Sequence, residues 1–145
     1  MINVRDLVRQ KGSRVYSVAP DADVVQALKL MAEKNTGAVL VMKDDKVIGI
    51  LSERDCVRKL DLAGKTAART LVEEIMTGDV LYVEASQSLE ECMAVMIDKN
   101  IRHLPVYENG KLLGVISVRD VLKEVVDYQQ FMIAQLEHYI TGAKQ

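Results

Sequence analysis

The chain carries one pattern twice. Residues 15–59 realign on residues 80–124 at a constant offset of 65 (Val18 falls on Val83) with no gap. Val18, Met31, Lys34, Asn35, Val41, Lys46, Gly49, Ser52, Arg54 and Asp55 recur as the same residue in the second copy. A repeated unit of this kind relies on its neighbour to bury its apolar face, and a half of about 60 residues is marginal by itself. Two small halves are therefore expected to support one another. What the copies retain is partly polar, and a repeated Ser-x-Arg-Asp has no obvious use in packing a core.

Each copy reads as β-α-β-β-α. It opens with a β-rich run, 15–18 or 80–83. Asp23 then precedes Gln26 by three and Ser88 precedes Glu91 by three, both at the spacing of a capping box. Val24, Ala27, Leu28 and Met31, and likewise Leu89, Cys92, Met93 and Met96, follow a helical period. The methionines there read as packing. Asn35 and Asn100 stand where a left-handed C-cap ends a helix. Apolar runs 38–42 and 104–107 lead through tight turns at Asp44-Asp45 and Asn109-Gly110 into return strands 47–51 and 112–116. Ser52 and Ser117 then start a further helix. The first strand of each copy is expected parallel to its neighbour, and the last two form an antiparallel hairpin. Pro105, aligned with Leu40, points to a strand edge or entry.

Upstream, Val4, Leu7 and Val8 resemble Val72, Ile75 and Met76 before the second copy. A longer loop over 9–14 carries Lys11, Ser13 and Arg14. Residues 60–70 read as a connecting loop. Beyond the repeats, Val121, Leu122, Val125, Val126, Gln129, Met132, Ile133, Leu136, Tyr139 and Ile140 trace a helical stripe that Thr141-Gly142 would end. This stripe is a candidate apolar dimer surface. The expected divisions are 1–66 for repeat one with its N-terminal helix, 67–127 for repeat two, and 128–145 for a helical extension.

Charge and composition narrow the function classes. The net charge is −2, with 19 basic and 21 acidic residues well mixed, which argues against a nucleic-acid surface. No apolar run approaches the roughly 20 residues of a membrane span, and the first residues lack the apolar centre of a secretory signal. A cytoplasmic protein is the expectation. Cys56 and Cys92 lack CxxC spacing and read as reduced, partly buried thiols. His103 and His138 have no cysteine near them, so the sequence requires no metal.

The repeated segments Gly-Ile-Leu-Ser-Glu-Arg-Asp (49–55) and Gly-Val-Ile-Ser-Val-Arg-Asp (114–120) admit two readings. In the plainer one, Ser52 with Asp55 and Ser117 with Asp120 are capping boxes at helix starts. In the other, each segment is a ligand corner. Gly49 and Gly114 interrupt apolar strands, as glycine does where a ligand or another backbone comes close. Arg54 and Arg119 recur beside the acid, which a cap does not need. The strand runs into a helix N-terminus, whose free N–H groups favour an anion. A nucleotide suits this chemistry. Ser52, Ser117 and the helix-end amides meet phosphate, Arg54 and Arg119 supply charge, and Asp55 and Asp120 accept from vicinal ribose hydroxyls as an acid does in dinucleotide folds.

A duplicated β-α-β-β-α unit with a Gly-h-h-[Ser/Thr]-x-x-Asp segment, h being apolar, resembles a pair of CBS domains, the Bateman module. The resemblance covers about nine tenths of the chain by its repeat layout. It implies an α/β (α+β) fold of two repeats packed sheet to sheet with pseudo-two-fold symmetry, plus a long C-terminal helix. It also implies a cleft for adenine nucleotides or adenosyl ligands, and homodimers. By the same resemblance Asp55 and Asp120 hold ribose, while Ser52 and Ser117 hold phosphate. Arg102 and His103 match a segment that brings basic side chains to the phosphates. Copy one has Thr36-Gly37-Ala38-Val39 there, with no basic residue, so the two sites should differ. Adenine contacts would come from Val18, Ala19 and Pro20 with Ala38 and Val39, or from Val83 and Ala85 with Leu104 and Pro105. The alternative for these residues is ordinary core. His103 reads equally as a satisfied core or edge histidine, and Lys11, Ser13 and Arg14 either close over a site or form a solvated loop.

Three functions follow. The first is a sensor module, with no catalytic or channel domain fused to it, that binds AMP, ADP, ATP, NAD(H) or S-adenosylmethionine and passes the signal to an unidentified protein partner. The second is a constitutive dimeric scaffold with empty clefts. An enzyme is the third; the chain has no P-loop, nucleophile elbow or metal cluster to support it.

Overall fold

A computed structural model describes residues 1–12 and 14–142. In chain order the elements are α1 (Val4–Lys11), β1 (Ser17–Val18), α2 (Val24–Lys34), β2 (Ala38–Lys43), β3 (Lys46–Ser52), α3 (Glu53–Cys56), α4 (Val72–Ile75), β4 (Val83–Glu84), α5 (Leu89–Lys99), β5 (His103–Glu108), β6 (Lys111–Ser117) and α6 (Val118–Gly142). A π-helical turn, Val57–Asp61, continues α3, and a 3-10 turn, Ala67–Arg69, precedes α4. The fold is α/β, with one three-stranded mixed sheet per repeat in the orders β1-β2-β3 and β4-β5-β6. In each sheet the first pair is parallel and the second antiparallel, as the repeat pattern implies.

The local signals act as their chemistry dictates. Asp23 Oδ1 accepts from Gln26 N at 2.9 Å and Ser88 Oγ from Glu91 N at 3.1 Å, so both helices open on a side-chain cap. Asn35 and Asn100 lie at φ 51° and 52°, left-handed caps that turn the chain from helix to strand. Asp44, Asp45, Asn109 and Gly110 all have positive φ, the type I′ geometry of a two-residue hairpin. Each hairpin then carries a register shift at the same place, Val41/Met42 and Val106/Tyr107.

The chain forms two compact units, and their boundaries differ from those expected. The repeat-one unit is Arg14–Leu81; the repeat-two unit joins the amino-terminal residues to everything from Tyr82 onward. Helix α1 therefore belongs with repeat two. Val4, Leu7 and Val8 share a core with Val83, Leu89, Leu104 and Ile116. Reciprocally, Val72 and Ile75 of α4 share a core with Val24, Met31, Val41 and Leu51. The docking bonds match position by position. Val4 N donates to Gln87 O and Arg5 N to Ala85 O, while Val72 N donates to Ala22 O and Glu73 N to Pro20 O. Each leader helix closes the core of the repeat that does not directly follow it.

Other expectations change in detail. The opening strands are two residues each, shorter than the runs 15–18 and 80–83. Residues 9–11 are helical, so Lys11 projects from α1 rather than from a loop. The expected connector begins later than residue 60, because the turn after α3 runs to Asp61 and Leu60 is buried in the core. Pro105 lies in β5, the central strand of its sheet, so of the two expectations the entry point agrees with the structure and the edge does not. Its aligned residue Leu40 donates its N–H to Tyr16 O on the β1 side. Proline lacks that donor, and β4 pairing starts only at Val83 with Val106, the next residue along β5. The proline thus sits where the parallel ladder has not begun. As expected, Met31 and Met96 are core residues, with Met93 packed against the core.

Candidate ligand-binding corners

Ser52 and Ser117 end β3 and β6, the last strand of each hairpin, and a helix starts at the next residue. In the repeat-one unit Asp55 N donates to Ser52 Oγ at 3.1 Å, and Ser52 N donates to Asp55 Oδ2 at 3.0 Å. In the repeat-two unit Asp120 N donates to Ser117 Oγ at 3.1 Å, and Ser117 N to Asp120 Oδ2 at 2.8 Å. Both pairs are closed capping boxes, so the plainer reading holds for the structure as it stands. A backbone bond also ties each helix start to the head of its hairpin: Glu53 N to Gly37 O and Val118 N to Arg102 O, each 2.9 Å.

Beyond the cap the two carboxylates are committed differently. Asp55 Oδ1 accepts from Thr77 Oγ1 at 3.4 Å and pairs with Lys59 Nζ at 3.2 Å. Both of its oxygens are engaged. Asp120 instead receives Lys11 Nζ on Oδ2, at 2.7 Å, and the same ammonium donates to Val115 O at 2.9 Å. Among the described residues Asp120 Oδ1 has no partner. The difference begins with the leader helices. Short α4 lets Thr77 N and O pair with Ile50 O and N. Longer α1 places Lys11 against Val115, the residue aligned with Ile50.

The electrostatics follow from that geometry. Burial works to raise the Asp120 pKa, but hydrogen bonds from Lys11 and Ser117 and the Lys11 charge prevail, leaving it below the ordinary carboxylate value. His103 pairs with Ser117 across the sheet. Burial, and then the charge of Lys11, depress its pKa against the opposing pull of Asp120, with Arg102 adding to the depression. His103 is thus a neutral donor or acceptor beside Asp120 rather than a fixed charge. Arg102 and Arg119 are exposed, and Arg54 is half-buried. The repeat-two corner joins Lys11, Ser117 and Asp120 by hydrogen bonds, with His103 and Arg102 in electrostatic reach, while the repeat-one corner joins Ser52, Asp55, Lys59 and Thr77; among the described residues no side-chain hydrogen bond or ion pair ties Arg54 or Arg119 to either corner. Sequence reasoning missed Lys59 and Thr77. Lys59, four residues after Asp55 on the same helix, was the available signal.

The residues considered for adenine contact divide. Val18 and Val39 pack in the repeat-one core, and Val83, Ala85 and Leu104 in the repeat-two core. Their side chains are packed into those two cores. Pro20, Ala38 and Pro105 are buried without joining either core, and Ala19 is exposed. Gly49 has a specific reason to be glycine: a Cβ there would collide with Met76 Sδ and lie 3.1 Å from Thr77 O. The close approach inferred for it is therefore by the chain after α4. Arg14 is exposed, and Ser13 lies outside the described residues.

Both cysteines are buried free thiols, as expected. Burial pushes Cys92 up to about 11 and, with Asp55 and Glu53 adding to it, raises Cys56 as well, so neither is a ready nucleophile at neutral pH. Among the described residues no group of three or more His, Cys, Asp or Glu could hold a metal. No helix among them is long and apolar enough to cross a membrane.

Two mixed sheets, each ending in a hydroxyl-and-carboxylate corner, define a tandem repeat module. The sequence profile of the CBS domain matches residues 1–62 and 72–127, and the chain belongs to the CBS-domain family. It is similar to a candidate signal-transduction protein with CBS domains from Burkholderia ambifaria MC40-6. That likeness is 45% identity over 87% of this chain and 95% of the other, with a TM-score of 0.84. The CBS-domain containing protein ATU1752 of Agrobacterium tumefaciens is 35% identical, over 85% of this chain and 98% of its own, with a TM-score of 0.80. The mitochondrial CBS domain-containing protein CBSX3 of Arabidopsis thaliana is 30% identical, covering 96% of this chain and 72% of that protein.

Proposed function

We propose that this chain is a regulatory module that binds an adenosine compound carrying a phosphate or carboxylate group, and that it acts by binding rather than by catalysis. The observation that carries the reading is the repeat-two corner. There a serine hydroxyl, a carboxylate with one oxygen still open, and Lys11 meet at the start of α6, and His103 feels the charges of Lys11, Asp120 and Arg102. Ribose hydroxyls would donate to Asp120. Lys11, now held on that carboxylate, would turn to the phosphate or carboxylate oxygens of the ligand, where a charge-assisted bond replaces the one it gives up. His103 would donate to the same anion. The sheet main chain would read the base.

The repeat-one corner is the weaker site in this reading, because Thr77 and Lys59 already occupy the second oxygen of Asp55. The fold is compatible with such ligands. The CBS-domain pair of protein MJ0100, solved with 5′-methylthioadenosine and S-adenosyl-L-methionine, shares it at a TM-score of 0.77 and 18% identity over 88% of this chain. Binding would favour whichever arrangement of the module holds the ligand better, and a partner protein would respond to that shift.

Titration calorimetry with AMP, ADP, ATP, NAD(H) and S-adenosylmethionine tests the proposal. Binding of at least one, with a dissociation constant below about 100 μM, is expected, which corresponds to about 5.5 kcal/mol. The second reading, a scaffold with empty corners, rests on the closed capping boxes, which need no ligand to be useful. It would be preferred if none of these compounds gave heat at millimolar concentration and none moved the melting temperature.

A further inference from the structure

The last helix carries two apolar stripes, and only one of them is used. Val118, Val121 and Val125 face the repeat-two core. A second stripe, at positions 122, 126, 129, 133, 136 and 140, alternates steps of four and three, the period of helices that pair along their length. It reads Leu122, Val126, Gln129, Ile133, Leu136 and Ile140. It is open to solvent: Ile133 is 54% exposed, Leu136 58% and Ile140 68%. A lone helix in water is marginal, and most helical stability in proteins comes from packing an apolar face. Large apolar side chains left bare along such a length mark an interaction surface. The CBS profile ends at residue 127, so most of this stripe lies outside the family's own domain.

We propose that α6 pairs antiparallel with α6 of a second copy of this chain. The stripe complements itself in that orientation. Val126 meets Leu136 of the second copy, Ile133 meets Gln129, and Ile140 meets Leu122. The flanking residues decide the direction. Antiparallel pairing sets Lys123 against Glu137 of the second copy, twice by symmetry, and Gln130 against Gln130. It gathers Met132 and Tyr139 on the opposite flank. A parallel pair would instead set Glu137 against Met132, leaving that charge over an apolar neighbour and Lys123 without its acidic partner. The contact is isologous and closed, so it stops at two chains.

Light scattering of the full chain at micromolar concentration tests this. The expected mass is twice the 16.2 kDa of the chain, falling to one chain in Ile133→Glu, whose far-UV spectrum should remain that of a folded protein because residue 133 lies in neither core. Glu137→Lys alone should weaken the dimer, and Lys123→Glu with Glu137→Lys should restore it. Leu122→Cys and Ile140→Cys, mixed and then oxidised, should give a crosslinked heterodimer, with little crosslinking of either alone. A wild-type mass of one chain overturns the proposal, as does a dimer indifferent to Ile133→Glu. Efficient crosslinking of each cysteine variant with itself overturns the antiparallel orientation.

Discussion

Asp55 and Asp120 hold the same place in the repeat and the same capping bond, yet only Asp120 keeps an oxygen open. Replacing Asp120 with asparagine retains an acceptor for Ser117 N and removes the charge. Adenosine-ligand binding should weaken by about 1–3 kcal/mol, the scale of charged hydrogen bonds. Asp120→Ala should in addition destabilise the ligand-free protein by about 1 kcal/mol, because Ser117 N loses its acceptor while the backbone N–H of residue 120 still donates to Ser117 Oγ. Calorimetry and thermal melts of the two variants separate the roles. Asp55→Asn should leave binding nearly unchanged if the repeat-one corner is structural. His103 carries a pH signature. Its folded pKa lies below the ordinary 6.5, so its contribution to stability is present above 6.5 and is lost as pH falls through the folded value. Melting temperature should therefore decline as pH is lowered past 6.5, and His103→Gln should remove part of that decline. A decline identical in the variant would assign it to other groups.

Among the elements, the leader helices matter most. Val4, Leu7 and Val8 have a helical spacing that resembles that of Val72, Ile75 and Met76, and this spacing identifies both helices without saying which sheet each will cover. Which core each helix covers depends on how the chain is threaded between the repeats, which local residue patterns do not state. Leu7→Ala should cost about 2–5 kcal/mol, and hydrogen exchange should speed up in β5 and β6 before β2 and β3. Uniform acceleration would contradict the exchanged packing. Gly49→Ala should destabilise by about 1–3 kcal/mol as Met76 is displaced. The sequence-level expectation of close approach at Gly49 was sound, but the approaching group is protein. The hairpins, caps and repeat order were legible because each rests on a short-range rule: Asn at a left-handed cap, two positive-φ residues at a turn, Ser three before Asp. The central place of Pro105 was hidden, because it depends on where β4 starts to pair. The buried side chains of Val83, Ala85 and Leu104 were ambiguous for a related reason, since an apolar strand residue looks the same whether it faces a core or a slot.

At the level of the molecule, two units built alike carry unlike corners, one closed by its own residues and one held by a lysine that a ligand could draw away. The exchange of leader helices also governs what happens when the chain is cut. Residues 62–66, between the two repeats, are exposed, and a protease that severed them would produce two fragments, each still clasping a helix from the other. Such fragments should travel together through gel filtration and part only in denaturant, so a nicked sample would pass for an intact one until it was boiled.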